Sequence, residues 1–345
     1  MLESVIITDD TRSELQSILN TEIFSSVTVL VDENTRRDCL PLISDILPGP
    51  TIIEIESGEE HKNLQTCDRI WQSLTEAETD RKALLINLGG GVIGDMGGFC
   101  ASTYKRGIRF INVPTTLLAQ VDASIGGKLG IDYHGYKNHI GLFTLPLMVV
   151  IQTAFLKTLP ARELKSGFAE IIKHYLIADR AEWNKLVEVP FPEHNWKHHV
   201  TESVRIKSAV VEKDPHENGL RKILNFGHTI GHALEGYFLE NIHQPVLHGE
   251  AVAAGMICEL LLSQEITGLQ QTHATKAIEY ILGNFGKLPV VRENVTAIID
   301  RARQDKKNED GNMKFTLLGE IGKASYNITV SATQAERVLN TYCGY

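Results

Sequence analysis

Ala83-Leu84-Leu85-Ile86-Asn87-Leu88-Gly89-Gly90-Gly91-Val92-Ile93-Gly94-Asp95 decides the fold. The aliphatic run Ala83–Leu88 reads as a strand, and the glycines after it open a helix. Similar short runs stand at Val5–Thr8, Val27–Val31, Ile52–Ile55, Phe110–Val113 and Met148–Ile151. Longer helical patterns such as Asn63–Glu78 lie between most of them. Strands alternating with helices of that length argue for βαβ units and a parallel sheet, in which ligands gather at the C-terminal ends of the strands.

The pattern changes after Pro160. Ala161–Ala178, Trp196–Lys213, Arg221–Tyr237, Gly249–Thr267 and Thr272–Asn284 all read as helices, and strand signals almost vanish until Lys314–Leu318. The expected fold is an α/β domain with a parallel Rossmann-like sheet over residues 1–160 and a mainly helical domain over residues 161–345, with the active site in the cleft between them. A chain of 345 residues is long for one core and comfortable for two. A net charge of -9 with no basic stripe speaks against nucleic acid as a partner. No stretch of membrane-spanning length lacks charge, and the first residues carry no basic, apolar leader. Five widely spaced cysteines without a CxxC suit reduced thiols. The expectation is a soluble, cytoplasmic, unprocessed protein that touches neither nucleic acid nor membrane.

Glycines at 89–91 let backbone N–H groups approach a phosphate, and a helix N-terminus favours its charge. A tight strand-to-helix turn alone would also explain them, and the spacing is not GxGxxG. Two other turns tilt the balance. Asp32-Glu33-Asn34 ends the second strand, where an acidic side chain can hold a ribose hydroxyl; the plainer role there is a helix N-cap. Pro114-Thr115-Thr116 follows the fifth strand. Three ligand-capable turns at one sheet edge favour a nucleotide site. Next come Asp122-Ala123-Ser124-Ile125-Gly126-Gly127-Lys128 and Lys137-Asn138, a small-residue loop flanked by lysines, as an anion site requires. Arg106 precedes a strand. Solvated surface lysines are the competing reading.

The strongest signal is Arg221, Asn225, His228 and His232. On one continuous helix these lie within roughly 60° of each other, a polar stripe opposite Ile223, Leu224, Phe226 and Ile230. Gly227 and Gly231 each cost about 1 kcal/mol in a helix interior, which suggests close approach to the backbone. Glu170 and Lys173 share a face of an earlier helix, and His248 opens a later one. One carboxylate with two imidazoles is a catalytic zinc-type set. His228 with His248 and His228 with His232 are both open as the imidazole pair. His194, His198, His199, His216 and His273 read as structural histidines in polar surroundings.

These residues resemble a known family. Gly89–Asp95, Val113–Asp122, Gly135-Tyr136-Lys137-Asn138, Leu224-Asn225-Phe226-Gly227-His228-Thr229 and His248-Gly249-Glu250 are similar, in order and spacing, to 3-dehydroquinate synthases of the sugar-phosphate cyclase superfamily. The resemblance implies conversion of 3-deoxy-D-arabino-heptulosonate 7-phosphate to 3-dehydroquinate and phosphate, in the shikimate pathway. The route is transient oxidation with NAD, β-elimination of phosphate, re-reduction and intramolecular aldol closure. It implies one zinc or cobalt ion on Glu170, His228 and His248. It implies NAD contacts from Asp32, Asn34, Glu59, Lys62, Gly90, Gly91, Asp95, Thr115, Thr116, Lys128, Lys137, Phe155, Thr158, Leu159 and Glu163. Catalytic roles fall to Lys128, Lys173, Lys207, Arg221, Asn225 and His232, and substrate contacts to Arg106, Asp122, Lys137, Asn138 and a lysine of Lys306-Lys307. A homodimer acting on a small phosphorylated sugar acid is the expected assembly.

Two positions depart from the family pattern. Leu129 and Asp132 stand where a threonine and an asparagine are expected, which could retune phosphate binding. A related cyclase, a metal-dependent polyol dehydrogenase and an NAD-binding regulator are the rival readings. The Lys/Arg cluster argues against the second, and the intact ligand set against the third.

Overall fold

The computed structural model describes residues 4–134, 136–241, 246–303 and 313–345. The chain divides into two compact units, Met1–Leu164 and Lys165–Tyr345.

The first unit holds six parallel strands: β1 (Val5–Ile7), β2 (Val27–Asp32), β3 (Thr51–Ile55), β4 (Leu84–Gly89), β5 (Arg109–Pro114) and, later in the chain, β8 (Met148–Ile151). Their order across the sheet is β1-β8-β5-β4-β2-β3. Helices α1 (Thr11–Thr21), α2 (Glu33–Asp38), α3 (Leu64–Glu76) and α4 (Gly91–Thr103) connect them. The strands read as near-continuous apolar runs because both faces are covered. Leu84, Ile86, Leu88, Ile111 and Val113 face one core, while Leu85, Phe110, Leu30 and Ile53 face the other. Each such side chain contributes about 1.5–3 kcal/mol on burial. Helix α4 is rich in glycine because it lies so close to the sheet. A Cβ on Gly97 would stand 1.9 Å from Asn87 Oδ1. That asparagine donates from Nδ2 to Asn112 Oδ1 across β4 and β5 at 2.9 Å, inside the core.

The basic loop is not a loop throughout. Lys128–Tyr133 (β6) and Tyr136–Phe143 (β7) pair as an antiparallel hairpin. Glycines and charges masked the strand signal, yet Leu129 and Ile131 alternate with polar neighbours and sink into the core.

The second unit is mainly helical: α5 (Ala161–Ala178, all but its first turn), α6 (Arg180–Leu186), α7 (Trp196–Lys213), α8 (His228–Asn241), α9 (His248–Leu262), α10 (Gln271–Phe285), α11 (Val295–Arg303) and α12 (Ala332–Cys343). An antiparallel pair, β9 (Met313–Glu320) and β10 (Lys323–Val330), joins them. The expected helix Arg221–Tyr237 is corrected. Leu220–Asn225 is a 3₁₀ turn, and α8 starts only at His228. Gly227, at φ +81°, breaks the run, a left-handed conformation that glycine adopts without steric cost. Among the described residues no helix is long and apolar enough to cross a membrane. All five cysteines are free.

Candidate active site

In the second unit, glycines bring the ligands together. Gly249 packs on α5 so tightly that a Cβ would meet Ser166 O at 2.0 Å, and its N–H donates to Ser166 Oγ at 3.0 Å. Ser166 lies one turn before Glu170, so this docking sets His248 beside Glu170. Glu250 then accepts the Leu247 N–H at 2.9 Å and caps the helix start. His-Gly-Glu is thus a ligand, a close approach and a cap. Helices α8 and α9 also touch through glycine: a Cβ on Gly255 would stand 1.9 Å from Gly227 O, and one on Gly231 3.1 Å from Ala251 O. The close approach suggested by Gly227 and Gly231 is that of α9.

The result is a triad in which Glu170 and His228 are buried and His248 is half-buried. His228 Nε2 and His248 Nε2 each lie 3.6 Å from Glu170 Oε1. Donor atoms about 2.1 Å from one tetrahedral ion stand roughly 3.4 Å apart, so this set fits a divalent metal such as zinc or cobalt. The other ring nitrogens are committed. His228 Nδ1 donates to Phe226 O at 3.1 Å, and His248 Nδ1 donates to Glu235 Oε2 at 3.3 Å. Both bonds leave Nε2 as the ligand atom. Burial pushes His228 well below the usual imidazole pKa, and Lys173 adds to the effect. Burial also pulls on His248, but the carboxylates of Glu235 and Glu170 outweigh it and lift the metal-free group to about 10. His232 joins His248 and Glu235 rather than Glu170, and its ring lies 5.1 Å from that of His228.

The remaining residues of this unit surround the triad. Lys173 is buried and ion-paired with Glu170, and Lys207 is buried on α7. Arg221 Nη1 donates to Pro215 O at 2.6 Å, and Asn225 Nδ2 donates to Glu217 Oε1 at 2.6 Å. Asp214 accepts three backbone N–H groups, from Asn218, Gly219 and Arg221. The Arg221 N–H foremost holds its carboxyl below the usual range. Glu217, Glu235 and Asp214 were not singled out in the sequence. Only Glu235 left a trace there, three residues after His232 on one helix. Lys306 and Lys307 lie outside the described residues. His194 and His199 are not in polar surroundings: they pack among Phe168, Phe191, Trp196 and Tyr175.

In the first unit, three adjacent parallel strands, β5, β4 and β2, end at Pro114, Gly89 and Asp32. The turn beyond β4 has the features of a phosphate cradle. Gly90 caps α4 without a side-chain hydrogen bond, leaving the first amides open to a ligand. No atom lies within 4 Å of where a Gly94 Cβ would point. Gly89, Gly90, Gly91, Asp95, Pro114 and Ser124 line a small hollow there. These features fit a dinucleotide pyrophosphate. Asp32 also caps α2, accepting the Thr35 N–H at 2.7 Å, and Asn34 is exposed beside Ser57. Thr115 is buried and Thr116 half-buried beside Gly90.

Lys62 is buried and donates to Asp95 Oδ2 at 2.6 Å and Asn138 Oδ1 at 2.7 Å. Burial opposes its charge, but Asp95 and Glu59 prevail and raise its pKa. Lys137 Nζ lies 3.3 Å from Glu59 Oε1. Glu59, Lys62, Asp95, Lys137 and Asn138 therefore form one network. Lys128 is exposed at the start of β6, and Asp122 is half-buried in a π-helical turn. Arg106 is exposed in the 3₁₀ turn Tyr104–Arg106 before β5, separated from Thr115 by a strand roughly 20 Å long. Phe155 belongs to the core, Leu159 and Glu163 are half-buried, and Thr158 is exposed. The two departures have local explanations. Leu129 packs against Gly98 of α4. Asp132 Oδ1 accepts the Asn138 N–H at 2.7 Å and steadies that residue at φ +48°.

The same architecture is found in 2-epi-5-epi-valiolone synthase from Streptomyces hygroscopicus, solved with NAD+ and Zn2+, at 23% identity and a TM-score of 0.87 over 99% of this chain and 96% of that one. A 2-deoxy-scyllo-inosose synthase solved with carbaglucose-6-phosphate, NAD+ and Co2+ follows at 24% identity and a TM-score of 0.83, covering 98% and 96%. The fold is therefore that of these synthases. Residues 52–166 match the 3-dehydroquinate synthase N-terminal family model and residues 167–308 the C-terminal one. A 3-dehydroquinate synthase of Parabacteroides distasonis is 40% identical over 345 residues, 99% of this chain and 98% of the relative. The chain belongs to the 3-dehydroquinate synthase family.

Proposed function

We propose that the chain is a NAD- and metal-dependent lyase that converts 3-deoxy-D-arabino-heptulosonate 7-phosphate to 3-dehydroquinate and phosphate. The observation that carries this reading is the Glu170–His228–His248 set, in a chain 40% identical almost end to end to a 3-dehydroquinate synthase. When bound, NAD supplies a hydride acceptor that is restored within one turnover, and the metal supplies a Lewis acid.

The chain's own residues position the rest. Glu170, His228 and His248 would hold the metal, and Lys173 balances the carboxylate. The open amides at Gly90 and Gly91 would receive the cofactor's pyrophosphate, with Asp32 at its ribose. Lys128, Lys137 and Asn138 bind the substrate phosphate. Arg221 and Asn225, each braced by a partner, orient the substrate's carboxylate and hydroxyls. His232 moves a proton at its imidazole. Holding an open-chain sugar near its closing geometry is where such a site gains most.

The test is phosphate release from the heptulosonate phosphate, with and without a chelator. Release that stops on chelation and returns with cobalt or zinc supports the reading. Release indifferent to the chelator breaks it. Steady NADH accumulation from a simple polyol, without phosphate release, would instead favour a dehydrogenase.

A further inference from the structure

One buried acid in the second unit has no part in the chemistry above. Glu259 is fully buried on α9, eleven residues after His248. At about 100° per residue, eleven steps return to the same helix face. Gly255 and Val252 lie on that stripe as well. This face closes on the turn before α8: a Cβ on Gly227 would meet Met256 Cγ at 2.5 Å and Val252 O at 2.9 Å. At its far end Glu259 Oε2 accepts the Gly227 N–H at 2.6 Å.

The N–H of Gly227 and the C=O of Phe226 belong to one peptide group, which is planar. That same carbonyl accepts the His228 Nδ1–H at 3.1 Å, and His228 Nε2 faces Glu170. We infer that Glu259 is a positioning residue for the metal centre, acting on His228 through the Phe226–Gly227 peptide. An acceptor on the N–H side fixes the tilt of the plane and polarises the carbonyl, so that it holds the imidazole more firmly. Gly227 at φ +81° has no Cβ to brace the turn by packing, so the hydrogen bond supplies the restraint. Helix α9 thereby sets both imidazoles: it carries His248 at its first residue and holds the His228 turn three helical turns later.

The inference rests on the metal reading. It is tested by cobalt titration of the full-length protein against a competing chelator, for wild type, Glu259→Leu and Glu259→Gln. Wild-type stoichiometry in that titration tests the metal reading itself; the variant-to-wild-type ratio tests Glu259. Glu259→Leu is expected to weaken cobalt binding about tenfold to a hundredfold and to alter the visible spectrum of the bound ion. Glu259→Gln keeps an acceptor for the Gly227 N–H and is expected to stay within about threefold of wild type. A purely structural acid would lower the melting temperature of Glu259→Leu and leave cobalt affinity and spectrum unchanged, and that result overturns the inference. Should Glu259→Leu fail to fold, the metal-free Glu259→Gln protein still decides. Its His228 ring-nitrogen resonances are expected to shift, and unchanged resonances overturn transmission through the peptide.

Discussion

The two ligand-binding regions are built on opposite principles. The triad of the second unit is made of side chains on three helices, fixed by outside partners such as Glu235 and the Phe226 carbonyl. The turn at Gly89–Gly91 offers backbone amides at strand ends and keeps a hollow open. In the first region glycines bring helices together; in the second they keep side chains out. One residue type thus serves ligand assembly by contact in one place and by vacancy in the other.

The largest expected effect falls on the side-chain site. His228→Ala should lower metal affinity more than about a hundredfold, beyond the cost of losing an outer partner, with turnover lost and the fold kept. Metal content after dialysis checks it, and retained stoichiometry would remove His228 from the ligand set. Lys128→Ala is expected to raise KM for the phosphorylated substrate about tenfold to a hundredfold, the scale of one charge-assisted hydrogen bond, and to weaken NAD binding far less. Equal losses in both would take Lys128 out of the substrate site.

The two kinds of glycine can then be set against each other. Gly249→Ala places a methyl 2.0 Å from Ser166 O and should cost about 1–3 kcal/mol of stability. Gly94→Ala meets nothing and should stabilise α4 by up to about 1 kcal/mol, yet weaken NAD. Melting curves with and without NAD and metal separate the pair; a destabilised Gly94→Ala would erase the contrast.

The smallest effect is a pH dependence away from both sites. Burial first, then the neighbouring His194 and His198, hold His199 down to about 4, and its Nδ1 pairs with the Tyr175 hydroxyl at 2.9 Å. The unfolded chain takes up this proton near pH 6.5, which the native state resists. The contribution is therefore complete above about pH 6.5 and is lost as pH falls toward 4. In His199→Phe the fall in melting temperature across that window should flatten.

Much of this was readable before any coordinates. All six parallel strands follow from their aliphatic runs, and α5 and α7 match their expected spans residue for residue. Periodicity failed at Arg221–Tyr237, because it carries no information on the sign of φ at Gly227. It also could not choose between His232 and His248, since that depends on how closely α8 meets α9. Glu217, Glu235 and Glu259 were opaque for the same reason: an acid among many shows its purpose only when its partner arrives from elsewhere in the chain.

The amide pair at the centre of the sheet has a consequence for assembly of the first unit. Asn87 Nδ2 reaches Asn112 Oδ1 only when β4 and β5 are matched as they are. A slip of β4 by one residue would send the Asn87 amide to the opposite face and set an aliphatic neighbour against Asn112. Two stranded polar groups in an apolar interior make that mispairing costly. The pair therefore favours the aligned register of β4 and β5 over a slipped one.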